Sequence, residues 1–317
     1  MFWRKLPVRI WLLGLVLVVG LGVAFYLVLV RMGKTTITQQ ALKREQTVAR
    51  AEASNISSFF QVFGESIAVF AQLSSMKNRD ARTLQDMNVF VDQWRDSNLI
   101  GGVVLTDRQG TVQLNANVLG SSDVGASLAD RDYFVWAENQ PGDREYFVGQ
   151  PVISRLGATK GQMIVPVAAA VYQKGVFVGA LVASVKLRPL TERYLTLMKV
   201  SDGTEVYLTD DQGELVYSNS APDTVGSNIV QLLPELKNRF NTIEEGKLQT
   251  AGRLVVYIPI LLEGQNWFVV MATPNQDVID LTAPINVRVM IMLLLVSLSM
   301  LILGLVIARD NQIQKIL

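Results

Sequence analysis

The chain has no cysteine and no histidine in its 317 residues. Without cysteine there is no disulfide framework and no thiolate nucleophile. Without histidine there is no imidazole base, and zinc loses its usual nitrogen and sulfur ligands. An excess of one charge sign is also missing: 29 Lys and Arg face 28 Asp and Glu, for a net charge of +1. That balance gives no electrostatic footing for nucleic acid or for an acidic substrate. No nucleophile stands in a recognisable pattern with a base, and no phosphate-binding Gly loop occurs. Asp107 and Asp210 are candidate acids, but both fall at turn positions, which explains them. The sequence therefore offers no catalytic residue, no metal ligand set and no cofactor site, and reads as non-enzymatic.

What the chain has in quantity is apolar residues, 50% of the total. Ile10–Val30 contains no charged residue. A helix over that run is roughly 30 Å long, the hydrocarbon thickness of a bilayer. The run is longer than a signal-peptide core and ends in Arg31-Met32-Gly33 with no small-residue cleavage site. Val289–Ala308 is a second uncharged run. Two membrane spans are expected, at 10–30 and 289–308. Arg4, Lys5 and Arg9 precede the first with no acid among them, which orients both ends, 1–9 and 309–317, toward the cytoplasm. Residues 31–288 then lie outside.

The outer segment contains an internal repeat. Residues 103–115 read VVLTDRQGTVQLN and residues 206–218 read VYLTDDQGELVYS. Both share V-x-L-T-D-x-Q-G, and both are followed by Val-Gly, at Val124–Gly125 and Val225–Gly226. Asp at the first and Gly at the fourth turn position suit a type I turn between antiparallel strands. The repeat predicts two similar β-rich modules in tandem, at 100–200 and 201–283. Each module is expected to end in a Pro-containing strand (Pro166, Pro259), a Gly turn and a closing strand.

Before the modules, residues 31–99 read as helical. Thr35–Ser75 predicts one long helix leaving the membrane. Its first half is polar with a thin apolar line at Ile37, Leu42 and Val48, suited to a partner helix in a homodimer. Its second half places Ile56, Phe59, Phe60, Phe63, Ile67 and Phe70 on one core-facing stripe. Arg79–Asn98 reads as a short helix and Ile229–Phe240 as another. The fold class expected is α+β: a long N-terminal helix plus two tandem PAS-like antiparallel-sheet modules, flanked by two transmembrane helices.

Between the repeats stand DRDYF (Asp130–Phe134), QPVIS (Gln150–Ser154), a V-P-V strand (Val165–Val167) and G-x-F-x-G-A-L (Gly175–Leu181). Their order and spacing resemble the double Cache sensor region of bacterial transmembrane receptors, over roughly residues 35 to 280. Such regions occur in diguanylate cyclases, histidine kinases and chemoreceptors. The resemblance implies a small-ligand sensor in a bacterial inner membrane, bound in the membrane-distal module and acting on a cytoplasmic output domain or partner. In amino-acid-binding members an Arg and nearby aromatics hold the carboxylate, and Arg131, Tyr133 and Phe134 occupy those positions. Trp136, Tyr146 and Ser154 are further pocket candidates. Ala126 stands where a Tyr is expected, and Ser184 where an Asp usually meets the ligand's ammonium. The resemblance so amended implies a carboxylate or other small polar ligand. For Arg131 a salt bridge to Asp130, Asp132, Asp143 or Glu145 is the alternative, and for the aromatics simple core packing. A different class, a structural polysaccharide chain-length regulator, also sets a periplasmic domain between two membrane helices, but the β-rich repeat argues against it.

Overall fold

The computed structural model describes residues 8–139, 142, 145–250, 252–280 and 283–316. Residues 1–7 of the expected cytoplasmic tail, Pro141 and Asp143 lie outside the described residues.

Helix α1 runs Val8–Ala71. From Ala49 its buried positions include Ala53, Ile56, Phe60, Phe63 and Ile67, spaced three and four apart as one helical face requires. The helix stops short of the expected Ser75. Gln72 and Leu73 fold into a turn, and α2 (Ser74–Asn78) follows. Arg79, at φ 54°, ends α2. Helix α3 (Thr83–Gln93) buries Met87, Phe90 and Val91. Phe70 stacks on Phe90 at 4.8 Å, and Trp94 meets Phe63 edge-on at 5.0 Å. Each such ring contributes about 1.5–3 kcal/mol by leaving water.

The first module is built on β1 (Ile100–Thr106), β2 (Val112–Asn117), α4 (Asp132–Asn139), β3 (Phe147–Val148), β4 (Val152–Ile153), β5 (Met163–Gln173) and β6 (Val176–Lys186). Its antiparallel sheet has the order β2-β1-β6-β5-β3, with β4 also on β5. Helix α4 packs Tyr133, Phe134 and Ala137 onto Ala168, Ala170, Ala180 and Val182. Small residues on that sheet face let the helix approach closely. After α5 (Leu187–Tyr194) the second sheet follows: β7 (Glu205–Asp210), β8 (Leu215–Ser218), β9 (Gly246–Gln249), β10 (Arg253–Leu262) and β11 (Gln265–Pro274). Its order is β8-β7-β11-β10-β9.

The sequence repeat becomes a structural repeat, bond for bond. Asp107 Oδ1 accepts from the Gln109 and Thr111 amides at 3.0 and 2.9 Å. Asp210 Oδ1 accepts from Gln212 and Glu214 at 2.9 and 2.7 Å. Both hairpins carry a register shift just before the shared Asp, between Leu105 and Thr106 and between Leu208 and Thr209. Both Val-Gly glycines have positive φ, 91° at Gly125 and 88° at Gly226. Their amides bond back to Val112 and Leu215, each at 2.8 Å.

One further expectation is corrected. Ile229–Phe240 is not a helix but two 3-10 turns, Ile229–Gln231 and Pro234–Leu236. Pro234 supplies no amide for a continuous helix, and the Asn228 side chain accepts from the Val230 amide to start the first turn. Strand β9 carries no alternating apolar pattern in GKLQ, and the sequence does not announce it.

The chain closes with α6 (Asn275–Asp280) and α7 (Ala283–Ile316). The uncharged runs 10–30 and 289–308 lie within α1 and α7. Among the described residues, no helix is long and apolar enough to cross a membrane, so the expected spans are not seen in the structure. The side chains of 10–15, 18, 19, 29 and 30 are outside the described residues. Residues 45–250 and 254–272 form one compact unit, and residues 1–44, 251–253 and 273–317 another.

Candidate functional site

The first module is hollow. A cavity of about 50 Å³ lies between the β1–β2 hairpin, the end of β6 and the segment that follows β4. The volume suits a few waters or a ligand of a few heavy atoms. Its walls close in on β1 at two adjacent glycines. A Cβ on Gly101 would stand 2.2 Å from Thr159 Cγ2 and 2.8 Å from Ser184 Oγ. One on Gly102 would stand 2.6 Å from the Ala116 carbonyl. A pair of glycines inside an otherwise apolar strand is a signal for a close approach that the sequence reading passed over.

Arg131 lines this cavity from the start of α4. Its Nε is buried and meets no acceptor among the described residues. Among the described residues its Nη2 reaches only the Ile153 carbonyl, at 3.5 Å. The acids beside it are engaged elsewhere. Asp130 pairs with Arg155 at 2.8 Å, both being more than half exposed. The Arg155 hydrogen bond is the main reason the Asp130 carboxyl titrates below its usual range. Asp132 accepts from the Gln150 amide at 3.5 Å. Among the described residues Arg131 forms no ion pair, so the salt-bridge alternative for it finds no partner there. A guanidinium donor left without an acceptor in a buried site is costly, and an incoming carboxylate would relieve that cost.

The other sequence candidates divide. Tyr133, Ser154 and Ser184 also line the cavity. Burial pushes the Tyr133 phenol up to about 12, so it stays neutral at physiological pH. The Ser154 hydroxyl is occupied in holding its own loop: it accepts from Thr159 Oγ1 at 2.9 Å and donates to the Leu156 carbonyl at 3.1 Å. Ser184 Oγ reaches the Gly102 carbonyl at 3.4 Å. Phe134, Trp136 and Tyr146 are not brought to the cavity. Phe134 is core, edge-on to Phe177 at 6.1 Å. Trp136 stacks on Phe147 at 5.2 Å. Tyr146 packs over Gly64 of α1, where a Cβ would stand 2.2 Å from its ring. The cavity also has walls the sequence reading passed over: Asn115, Asn117, Asp123, Arg155 and Thr159.

A hollow module followed by a second sheet of matching strand order defines the class of tandem-module ligand-binding domains. The chain belongs to the Cache-domain family, in its double-module form, matched over residues 33–283. Cache domains are sensor domains. Solved structures share the fold. An extracellular ligand binding receptor from Desulfohalobium retbaense has 16% identity and a TM-score of 0.59, covering 71% of this chain; the chain spans only 39% of that receptor. The ligand-binding domain of the Pseudomonas fluorescens chemoreceptor CtaA, in complex with L-alanine, has 19% identity and a TM-score of 0.54, covering 72% and 95% of the two chains. A domain named as sensory box/GGDEF family, from Vibrio parahaemolyticus, has 15% identity and a TM-score of 0.60, covering 77% and 98%. At these identities the likeness carries the fold alone. No curated protein sequence matches the chain.

Proposed function

We propose that this chain is a membrane-anchored extracytoplasmic sensor. Its distal module, 100–200, takes a small carboxylate-bearing ligand on Arg131, and its proximal module, 201–283, carries the response toward a cytoplasmic output. The observation behind this reading is the buried Arg131 Nε without an acceptor in the wall of a small cavity. Membership of a sensor-domain family supports it, and the CtaA domain was solved with L-alanine. The anchors in this reading are the uncharged runs 10–30 and 289–308, with the cationic Arg4, Lys5 and Arg9 inside. The reading includes a second copy along α1, where Val62 and Val69, with Leu73 in the turn just after, leave an exposed apolar line. Leu42, in the thin line first expected to carry that contact, is itself buried. A ligand can shift the receptor only through its different affinity for two arrangements of these elements.

A thermal-shift screen of the purified full chain against small carboxylates tests the binding. A true ligand at 100 times its dissociation constant stabilises by about 2.7 kcal/mol. If no carboxylate raises the melting temperature, the sensor reading fails. Orientation is tested separately. The chain has no native cysteine, so Ser122→Cys, an exposed loop position, gives one labelling site. Impermeant maleimide applied outside intact cells is expected to label it; labelling only after lysis would reverse the orientation.

A further inference from the structure

Two contacts join helix α4, which carries one wall of the cavity, to the turn of the β10–β11 hairpin in the second module. The first runs through Gly149. Its amide donates to the Pro166 carbonyl at 2.8 Å, and its carbonyl accepts from Gln265 Nε2 at 2.6 Å. There is no slack beside it: a Cβ on Gly149 would stand 2.8 Å from Pro166 Cγ and 3.4 Å from Tyr133 Cδ1. Pro166 and Tyr133 both line the cavity. The second contact runs through Phe147. Its ring stacks on Trp136 of α4 at 5.2 Å, and it lies so close to Gly264, in the hairpin turn, that a Cβ there would be 2.3 Å from Phe147 Cε2. Between the two, the Val148 amide donates to the Glu263 carbonyl at 2.8 Å. A close-packed contact of this kind is barely compressible and transmits a displacement rather than absorbing it.

Gln265 is the polar centre of this junction. It is buried, and both ends of its amide are committed, Nε2 to Gly149 and Oε1 to the Trp267 indole N–H at 3.0 Å. Trp267 in turn stands on β11 and meets Phe60 of α1 edge-on at 5.6 Å. Strand β11 continues in the chain into α6 and α7, and α1 contains the uncharged run 10–30. These are the two elements that lead out of the modules toward the runs proposed as anchors. Arg131 immediately precedes α4, so a ligand that draws its guanidinium inward draws the first turn of that helix with it. Tyr133 and Trp136 of the same helix then bear on Gly149 and Phe147.

We propose that the β10–β11 turn reads the occupancy of the cavity, with Gln265 as the positioning residue that passes a movement of α4 to β11 and α1. This rests on the reading of the cavity as the ligand site and adds the point at which the response leaves the first module. The turn responds only because the ligand's affinity differs between two arrangements of it.

Two of the five tryptophans mark the two ends of the connection, Trp136 on the cavity side and Trp267 beyond Gln265. The test is fluorine NMR of the purified full chain labelled with fluorotryptophan, the two resonances being identified by their loss in Trp136→Phe and Trp267→Phe. The probe is the first of acetate, propionate and L-alanine that raises the melting temperature of the wild-type chain. Both resonances of the wild type are expected to move with it, at one midpoint. Gln265→Met keeps the length of the side chain and removes both of its bonds. In that variant the Trp136 resonance is expected to move as before, while Trp267 loses most of its movement. Phe147→Ala breaks the second contact and leaves the Gln265 bonds in place. It is expected to diminish the Trp267 movement as well, and it carries the test if Gln265→Met folds poorly. A purely structural Gln265 would change the resting position of the Trp267 resonance and leave its response to the probe intact; that result overturns the proposal. So does a wild-type chain in which the probe moves Trp136 but not Trp267, and the ligand site then stands without this connection. If none of the three compounds raises the melting temperature, the connection falls together with the sensor reading.

Discussion

Arg131→Ala is expected to weaken binding of a carboxylate ligand by roughly 30-fold or more, while the chain remains folded. Loss of a desolvated, charge-assisted contact costs about 2–5 kcal/mol, and each 1.4 kcal/mol is ten-fold in affinity. The fold should survive because Arg131 contributes no ion pair to it among the described residues. Its Nε is a buried donor without an acceptor and its Nη2 makes only a long 3.5 Å contact to the Ile153 carbonyl among the described residues, so truncation removes little that supports the fold. The melting temperature of the ligand-free variant is expected to equal or exceed that of the wild type. Arg131→Lys keeps the charge but not the planar fork, and should recover only part of the affinity. Asp210→Ala is the control: it loosens the equivalent turn of the second module and should leave affinity unchanged. Calorimetric titration and a thermal melt of each variant decide the matter. A folded Arg131→Ala chain with normal affinity would move the site elsewhere, and an unfolded one would return Arg131 to a structural role.

Trp267→Ala is expected to cost about 3–5 kcal/mol, a large part of the ~5–15 kcal/mol by which a domain is stable. Trp267 is wholly buried in β11 and meets Phe60 of α1 edge-on at 5.6 Å. Its indole N–H donates to Gln265 Oε1 at 3.0 Å, and Gln265 Nε2 donates to the Gly149 carbonyl at 2.6 Å. The Val148 amide bonds to the Glu263 carbonyl at 2.8 Å nearby. Trp267 therefore supports the point where the β10–β11 hairpin of the second module meets β3 of the first. Gly149 in turn lies under Tyr133 of the cavity wall, where a Cβ would be 3.4 Å from the ring. Truncation opens a cavity and strands a buried amide at the junction of the two modules. Trp267→Phe separates the two losses, since it keeps most of the ring and removes only the donor, at roughly 1–3 kcal/mol. Urea unfolding followed by circular dichroism measures both. Equal midpoints for Trp267→Ala and wild type would show that the junction carries little of the stability.

Much of the fold could be read from the residues because its determinants are local. The shared D-x-Q-G sets a turn within four residues, and alternating apolar side chains set the strands on either side. Both signals act over neighbours in the chain, and so both hairpins form the same bonds at Asp107 and Asp210. The stripe Ile56, Phe60, Phe63, Ile67 is likewise a matter of helical spacing, and those four are buried. The end of α1 and the Ile229–Phe240 segment were less legible, because a turn at Gln72 and a proline at 234 override a continuing apolar pattern.

The site is different in kind. Arg131 could be singled out from its motif, but whether it faced Asp130 or a cavity depended on Arg155, which takes Asp130 from across the loop. Tyr133 and Trp136 sit three residues apart on one helix, yet one lines the cavity and the other stacks on Phe147. Asp123 has no motif at all; it reaches the cavity because Asn115 fixes its loop against β2. The sequence alone settled the repeat, its two hairpins and the core-facing stripe of the long helix, since those follow from period and turn chemistry among near neighbours. Only the tertiary structure decided which polar groups share a buried space, because that depends on which distant side chains claim each hydrogen bond first and on the room that Gly101, Gly102 and Gly157 leave between strands and loop.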